Sequence, residues 1–247
     1  MTGSATHAAD VEWRRDQALR AAVIDGCRRL VREGLIVGTA GNVSVRRDTD
    51  RFFVSPTGTP YDALRSDDVA LVDLDGRWRG GRRPSSEWRI HRDLYRARPE
   101  VAAIVHTHSR EATALACTGR GIPAFHYMVA AAGGEDVRCA PYRTFGTQAL
   151  SEAALAALTG RRACLLANHG VLCVGSDLEA TLGLAAEIED LAAKYRIALG
   201  LGNVAVLTAA QMREVFDRFA TYGRQDDADP DLIRITDPPP GTREEPR

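Results

Sequence analysis

A layered α/β domain whose sheet is largely antiparallel is the fold class this sequence predicts, on three observations. Helical periodicities stand at both ends of the chain, hairpin-like strands with glycine turns lie between them, and no internal repeat or second-domain linker interrupts the 247 residues. With 45% hydrophobic residues, a chain of this length buries one full core. Strands joined by short turns pair antiparallel, which argues against a doubly wound parallel sheet.

The elements follow in order. From Asp10 to Glu33, Leu19, Val23, Cys27, Leu30 and Val31 recur at helical spacing, and Gly34 is a suitable stop. Residues 1–9 precede that pattern and are expected to form a flexible extension. "LIVGTAGNVSVRR" turns at its glycines into a strand marked by the alternation of Val43 and Val45, and "DTDR" turns into "FFVSPTGTP", a second strand ending in a Pro/Gly loop. "PSSEWRIHRDLYRARPE" runs from Pro84 and two serines to Pro99, the punctuation of a capped helix, and leads into the apolar strand "VAAIVHTHSRE". Beyond it "EATALACTG" predicts a short helix, "VRCAPY" a short strand and "TQALSEAALAAL" another helix. "ACLLANHGVLCVGS" is two apolar runs meeting at Asn168, His169 and Gly170, so His169 sits in a strand-to-strand turn. Ser176 or Asp177 caps an alanine-rich helix to Leu199, and "TAAQMREVFDRFATYG" is a last helix closed by Gly223. The domain therefore spans residues 10–223. The remainder, 224–247, is rich in Asp, Pro and Arg and is expected to be a flexible tail.

Composition limits what such a domain does. Lys and Arg number 32 against 33 Asp and Glu, so no global field recruits nucleic acid or an anionic membrane, and an anionic ligand must be held locally. No window approaches the roughly 18 uninterrupted apolar residues of a membrane span, and "MTGSATHAAD" lacks the basic-then-apolar pattern of a signal peptide. A cytoplasmic protein is expected. Cys27, Cys117, Cys139, Cys164 and Cys173 are odd in number, with no C-x-x-C, which disfavours a disulfide framework and a thiolate zinc site.

His106 and His108 carry the sharpest chemical signal. In an extended chain side chains at i and i+2 share a face, so both imidazoles project the same way from the end of an apolar strand. Two neutral nitrogens so placed suit a divalent metal such as zinc, which needs a third ligand at about 2.0–2.2 Å and an open position for catalysis. The alternative is a pair of histidines satisfied by hydrogen bonds. His169, held in a glycine-flanked turn, is the candidate third ligand, the alternative being a plain turn residue. Glu87 is the candidate fourth, although its place in the first turn of a helix also suits a capping carboxylate. Ser85 and Ser86 make that helix start a phosphate site in the making, and "GTAGN" (38–42) and "SPTG" (55–58) present further backbone donors to an anion. His91 lies one helical turn after Glu87 and is assigned to packing or to support of the ligands. His126 and Tyr127 read as a buried aromatic pair, with Tyr127 an acid or base where a nearby cation lowers its pKa.

Together "GTAGNVSVR", "SPTGTPYDAL", "PSSEWRIH", "HTHS", "IPAFHYMVAAAGG", "CAPYRTFGT" and "ANHGVL" resemble the class II aldolase/adducin-like family, most closely its L-fuculose-1-phosphate aldolase branch, over residues 10 to 223. The resemblance implies a three-layer α/β/α subunit in a homotetramer, with one Zn2+ per subunit held at subunit interfaces. His106, His108 and His169 then correspond to zinc ligands and Glu87 to the carboxylate that binds the resting metal and acts as base. Thr39, Gly41, Asn42, Thr57, Gly58, Ser85 and Ser86 match the phosphate-holding positions. Tyr127 matches a tyrosine contributed by the adjacent subunit, and Phe145, Phe219 and Tyr222 fall around the aldehyde end. The implied reaction is the cleavage of the C3–C4 bond of a ketose 1-phosphate to dihydroxyacetone phosphate and an aldehyde, zinc stabilising the enediolate. Aldolases for 5-deoxyribulose or methylthioribulose 1-phosphate share these motifs closely. The ribulose 5-phosphate 4-epimerase branch carries aspartate where this chain has Glu87, and family dehydratases and decarboxylases are further from "PSSEWR". A non-catalytic adducin-like module is expected to lose ligands, whereas all four are present here.

Overall fold

The computed structural model of the chain describes residues 2–221, the side chains of residues 2–6 and 8 excepted. Tyr222, Gly223 and the tail 224–247 lie outside the described residues. Helix α1 (Thr2–Arg32) opens the chain and strands β1 (Gly41–Arg46), β2 (Arg51–Val54), β3 (Ala70–Asp73) and β4 (Trp78–Arg79) follow as an antiparallel meander. Then come α2 (Trp88–Ala97), β5 (Ala103–Thr107), α3 (Arg110–Ala116), β6 (Arg138–Ala140), α4 (Gln148–Ala157), β7 (Ala163–Leu166), β8 (Gly170–Gly175), α5 (Leu178–Leu201) and α6 (Ala209–Phe219). The strands form one sheet in the order β4-β3-β2-β1-β5-β8-β7-β6. Its neighbours are antiparallel except β6 and β7, which run parallel because α4 carries the chain across between them. The largely antiparallel α/β expectation holds.

Alternation along the strands builds two cores, one on each sheet face. Val43, Val45, Phe53, Ala103, Val105, Val171 and Cys173 pack under α1, α3 and α5, while Phe52, Val54, Ile104, Leu172 and Val174 pack under α2 and α4. The result is three layers, helices on both faces of the sheet. The face under α2 matters most, because His106 follows Ile104 on it.

Local chemistry explains the boundaries. The Asp177 carboxylate caps α5 by accepting from Ala180 N, and Thr208 and Gln211 close a capping box on α6. At α1 the turn at Gly34 returns Leu35 N to Leu30 O at 2.9 Å. Two expectations are corrected. Helix α1 starts at Thr2 rather than Asp10, so segment 2–9 continues the helix instead of forming an extension; alanines sustain a helix there without an apolar stripe to announce it. Strands β3 and β4 went unpredicted, being only four and two residues long, with both residues of β4 exposed and hence no alternation to read. Among the described residues no helix is long and apolar enough to cross a membrane, and no cysteine is bonded to another: Cys27, Cys164 and Cys173 are buried and Cys117 is exposed.

Candidate metal centre

Three elements aim side chains at one point. Strand β5 presents His106, the residue just past it presents His108, and the turn between β7 and β8 presents His169. The three rings meet edge to face with centroids 4.8, 4.8 and 4.9 Å apart, like the walls of a corner. Glu87 closes the fourth side, its Oε2 lying 3.1 Å from His106 Nε2 and its Oε1 3.2 Å from His169 Nε2. One donor atom from each of the four residues lies within 4.8 Å of every other.

The donor chemistry fits a cation better than it fits itself. His106 Nδ1 donates to Val171 O at 2.8 Å, which leaves Nε2 as the lone-pair nitrogen turned inward. That nitrogen faces His108 Nε2 at 2.9 Å, and Glu87 Oε1 is buried with no hydrogen-bond partner. Tetrahedral zinc at about 2.0–2.1 Å from each nitrogen sets them about 3.3 Å apart, so a small outward relaxation admits the ion. The charges divide into one ion pair and two neutral rings. Burial alone would raise the Glu87 carboxyl, but His106, then His169 and the Asn42 amide, hold it well below the usual carboxylate range. His106 is pushed down by burial, yet Glu87 outweighs this and raises it. His108 and His169 fall to about 4, through burial first and repulsion from His106 second. His108 and His169 are thus held neutral, as metal ligation requires, while His106 and Glu87 form an ion pair in which a bound cation would take the place of the His106 Nε2 proton.

Backbone geometry makes the corner possible. A Cβ on Gly170 would sit 2.3 Å from Thr107 O and 2.9 Å from His108 Cδ2, so only glycine lets β8 approach β5 behind the rings. Asn168, just before His169, is the one non-glycine residue at positive φ (56°) among those described, a strained turn that asparagine tolerates. Glu87 occupies the N-cap position of α2 but makes no capping hydrogen bond, which disposes of the capping alternative.

A cavity of about 130 Å³ opens beside this corner, with Glu87, His108 and His169 on its wall. Thr39, Gly41, Asn42, Thr57, Gly58, Ser85 and Ser86 all line it, with Glu87, His108, His169 and Phe145. The sequence-predicted phosphate residues are thus brought together at the metal corner. Asn42 differs from its neighbours, since its amide is committed to Glu87 Oε2 at 3.0 Å and to His91 Nε2 at 2.5 Å. His91, fully buried, thus reaches Glu87 through Asn42. Tyr127 and Phe219 do not reach the corner within this chain; their rings lie 6.5 Å apart on the wall of a separate cavity of about 930 Å³. The expected burial of Tyr127 is corrected: it is 47% exposed, because its short 3-10 turn (Tyr127–Ala132) packs Val129, Ala130 and Ala132 inward instead. Tyr222 lies outside the described residues. Ser44 and Tyr95 were missed, although the i+2 spacing from Asn42 and the i+4 spacing from His91 put both on the faces that meet here.

Known proteins share this arrangement of chain. The profile of the family described as "Class II Aldolase and Adducin N-terminal domain" matches residues 21–195. A 5-methylthioribulose-1-phosphate/5-deoxyribulose-1-phosphate aldolase from Rhodospirillum rubrum is 50% identical over 206 residues, 83% of this chain and 93% of the relative. An L-fuculose phosphate aldolase from Escherichia coli is 45% identical over 206 residues, 83% of this chain and 95% of the relative. A solved structure titled "L-fuculose 1-phosphate aldolase" superposes with a TM-score of 0.79 at 37% identity, covering 82% of this chain and 96% of that one.

Proposed function

The chain belongs to the class II aldolase and adducin family and is an aldolase, and from that premise we propose a zinc-dependent retro-aldol cleavage of a ketose 1-phosphate, in a cytoplasmic homotetramer with active sites at subunit interfaces. The observation that carries the reading is the single cavity in which a Glu/His corner adjoins hydroxyls and turn backbone suited to a phosphate. Zinc would be held by His106, His108, His169 and Glu87 and would supply Lewis acidity to the cleavage.

The chain's own residues do the rest. Ser85, Ser86, Thr57 and the backbone at Thr39, Gly41 and Gly58 hold the phosphate. Tyr127 of the partner subunit takes the proton from the C4 hydroxyl as the aldehyde leaves, a role supported by its exposure and by its place on a different cavity from this chain's own corner. Glu87, which takes up a proton from solvent water once the substrate occupies the site, delivers it to C3 to complete dihydroxyacetone phosphate, and Tyr127 returns the C4 proton to solvent. Phe145, 65% exposed at the cavity wall, borders the path of the departing aldehyde; Phe219, which shares a cavity with Tyr127, is assigned with it to the partner's side of that apolar end, and Tyr222 keeps the same assignment on the resemblance alone.

An L-fuculose-1-phosphate-like substrate agrees with the motifs and with the 45% identical relative. A second reading, 5-deoxyribulose or methylthioribulose 1-phosphate, is favoured by the 50% identical relative and by an aromatic ring where a polar aldehyde would want partners. A coupled assay for dihydroxyacetone phosphate across fuculose, rhamnulose, ribulose, deoxyribulose and methylthioribulose 1-phosphates decides between them by kcat/KM. Glu87→Gln is expected to retain zinc by metal analysis and to lose about 10²–10⁴ in kcat; a wild-type rate removes Glu87 from the mechanism.

A further inference from the structure

Glu87 stands at the end of a buried line of polar side chains that the reaction scheme above does not use. Tyr95 Oη lies 2.8 Å from Ser44 Oγ, Ser44 Oγ lies 2.6 Å from His91 Nδ1, His91 Nε2 lies 2.5 Å from Asn42 Oδ1, and Asn42 Nδ2 lies 3.0 Å from Glu87 Oε2. All five residues are buried. The line is a zipper between two elements: Glu87, His91 and Tyr95 recur every fourth residue along one face of α2, and Asn42 and Ser44 alternate along one face of β1. The Phe52 ring lies 13° from parallel to the His91 imidazole, with centroids 6.4 Å apart, and touches Tyr95 as well, which limits rotation of both rings.

Elementary hydrogen-bond chemistry gives this line one direction. A liganding carboxylate has no proton, so the group that Asn42 turns toward Glu87 is its NH2, and its oxygen faces His91. An amide oxygen only accepts, so His91 Nε2 carries the hydrogen. The imidazole, kept neutral by burial that pushes it down to about 3, then has an acceptor at Nδ1. Ser44 donates to that nitrogen, and Tyr95 donates to Ser44. With the proton on Nδ1 instead, two acceptors would face each other at 2.5 Å, and the amide would turn its oxygen onto Glu87.

We propose that His91, Ser44 and Tyr95 are positioning residues for the aldolase reaction: by fixing the imidazole as its Nε2–H tautomer they lock the Asn42 amide with its N–H on Glu87 and hold that carboxylate in one orientation during proton transfer to C3. The inference rests on Glu87 being the catalytic carboxylate. It assigns work to residues that touch neither the metal corner nor the cavity; of the five, only Asn42 and Glu87 line the cavity.

The test combines kinetics with spectroscopy on the full-length zinc enzyme. His91→Met, an apolar side chain of similar reach, is expected to lower kcat about 10–100-fold while KM stays within about twofold and zinc content is unchanged. His91→Gln keeps an N–H at nearly the same place and is expected to restore kcat to within about threefold of wild type. Ser44→Ala and Tyr95→Phe, which remove links further out, are expected to lower kcat by successively smaller factors. Long-range 15N spectra of histidine-labelled wild-type enzyme should show the His91 proton on Nε2, a measurement that needs no variant to fold. A proton on Nδ1 overturns the proposal. So does a His91→Met enzyme with wild-type kcat per bound zinc, or a His91→Gln enzyme as slow as His91→Met, the pattern of a residue that only packs. Wild-type turnover by Glu87→Gln in the same assay would instead sink the functional reading on which the inference stands.

Discussion

Strand β1 carries a cluster of charged and titratable side chains at each end, and the two clusters are built on opposite principles. At its far end Arg47 is surrounded by Glu12, Asp16 and Asp48 at 2.9, 2.9 and 2.7 Å, with Arg51 adding a second cation 2.6 Å from Asp48. Every cation there has a carboxylate, and the cluster ties α1 to the sheet. At its near end Asn42 helps hold Glu87 beneath three imidazoles that converge on one another and leave Glu87 Oε1 buried without a hydrogen bond. A cluster that satisfies itself has no need of a guest. One whose lone pairs face each other is kept in place by its surroundings, here Gly170, the Asn168 turn and the Val171 carbonyl, and offers its donors to a cation.

The strongest way to break that contrast is to remove the guest. Dialysis against a chelator is expected to lower activity by at least about 10³-fold and zinc to restore it, since the Lewis acid contributes several kcal/mol to the barrier. His108→Ala should produce the same loss without a chelator. Activity that survives metal depletion would make the corner another self-sufficient cluster. Next in size is Gly170→Ala. Its Cβ would meet Thr107 O at 2.3 Å, so β8 must shift away from β5, with an expected cost of about 2–4 kcal/mol in denaturant unfolding and a parallel drop in zinc per chain. Unchanged zinc content would show that the rings are not set by that close approach.

Much of the corner was legible in the letters. The i, i+2 histidines on an apolar strand, a carboxylate at a helix start and a histidine in a glycine-flanked turn each state a direction that backbone geometry preserves. What the letters hid was the division of labour at Asn42. In "GTAGN" it reads as one more turn residue for an anion, but it lies in β1 directly opposite His106, and that register turns its side chain toward α2. Register is a non-local fact, so no local pattern reports it. The same holds for β3 and β4, which exist because β2 offers an edge, and for Tyr127, whose exposure depends on packing against α6 and on whatever else covers that face. The start of α1 was hidden for a different reason: a run of small residues sustains a helix without displaying a face.

At the satisfied end the expected effects are smaller and fall on stability alone. Arg47→Ala leaves three carboxylates without their shared cation. Glu12 and Asp16 regain some water, so the expected loss is about 1–3 kcal/mol, and kcat per folded enzyme should stay at the wild-type value. A slowed but equally stable variant would mean that the two ends of β1 are coupled and the contrast is false.

The smallest effect is one of pH. Burial raises the Asp48 carboxyl, but hydrogen bonds from Arg51 and Arg47 outweigh it and bring it down to about 2. The unfolded chain holds that group near about 3.9, so between these values the unfolded state binds the proton and the folded state does not. The sign follows: Asp48 stabilises the fold in full above about pH 4 and loses that contribution as pH falls toward 2. With the group partly exposed and screened, the amount is on the order of 1 kcal/mol. Comparing unfolding free energies of wild type and Asp48→Asn from pH 6 to pH 3 isolates it, because the variant lacks the titration and the two curves should converge at the acid end. Curves that stay parallel would mean that Arg47 and Arg51 find other partners once Asp48 is neutral, and that this end of the strand is less tightly specified than its short distances indicate.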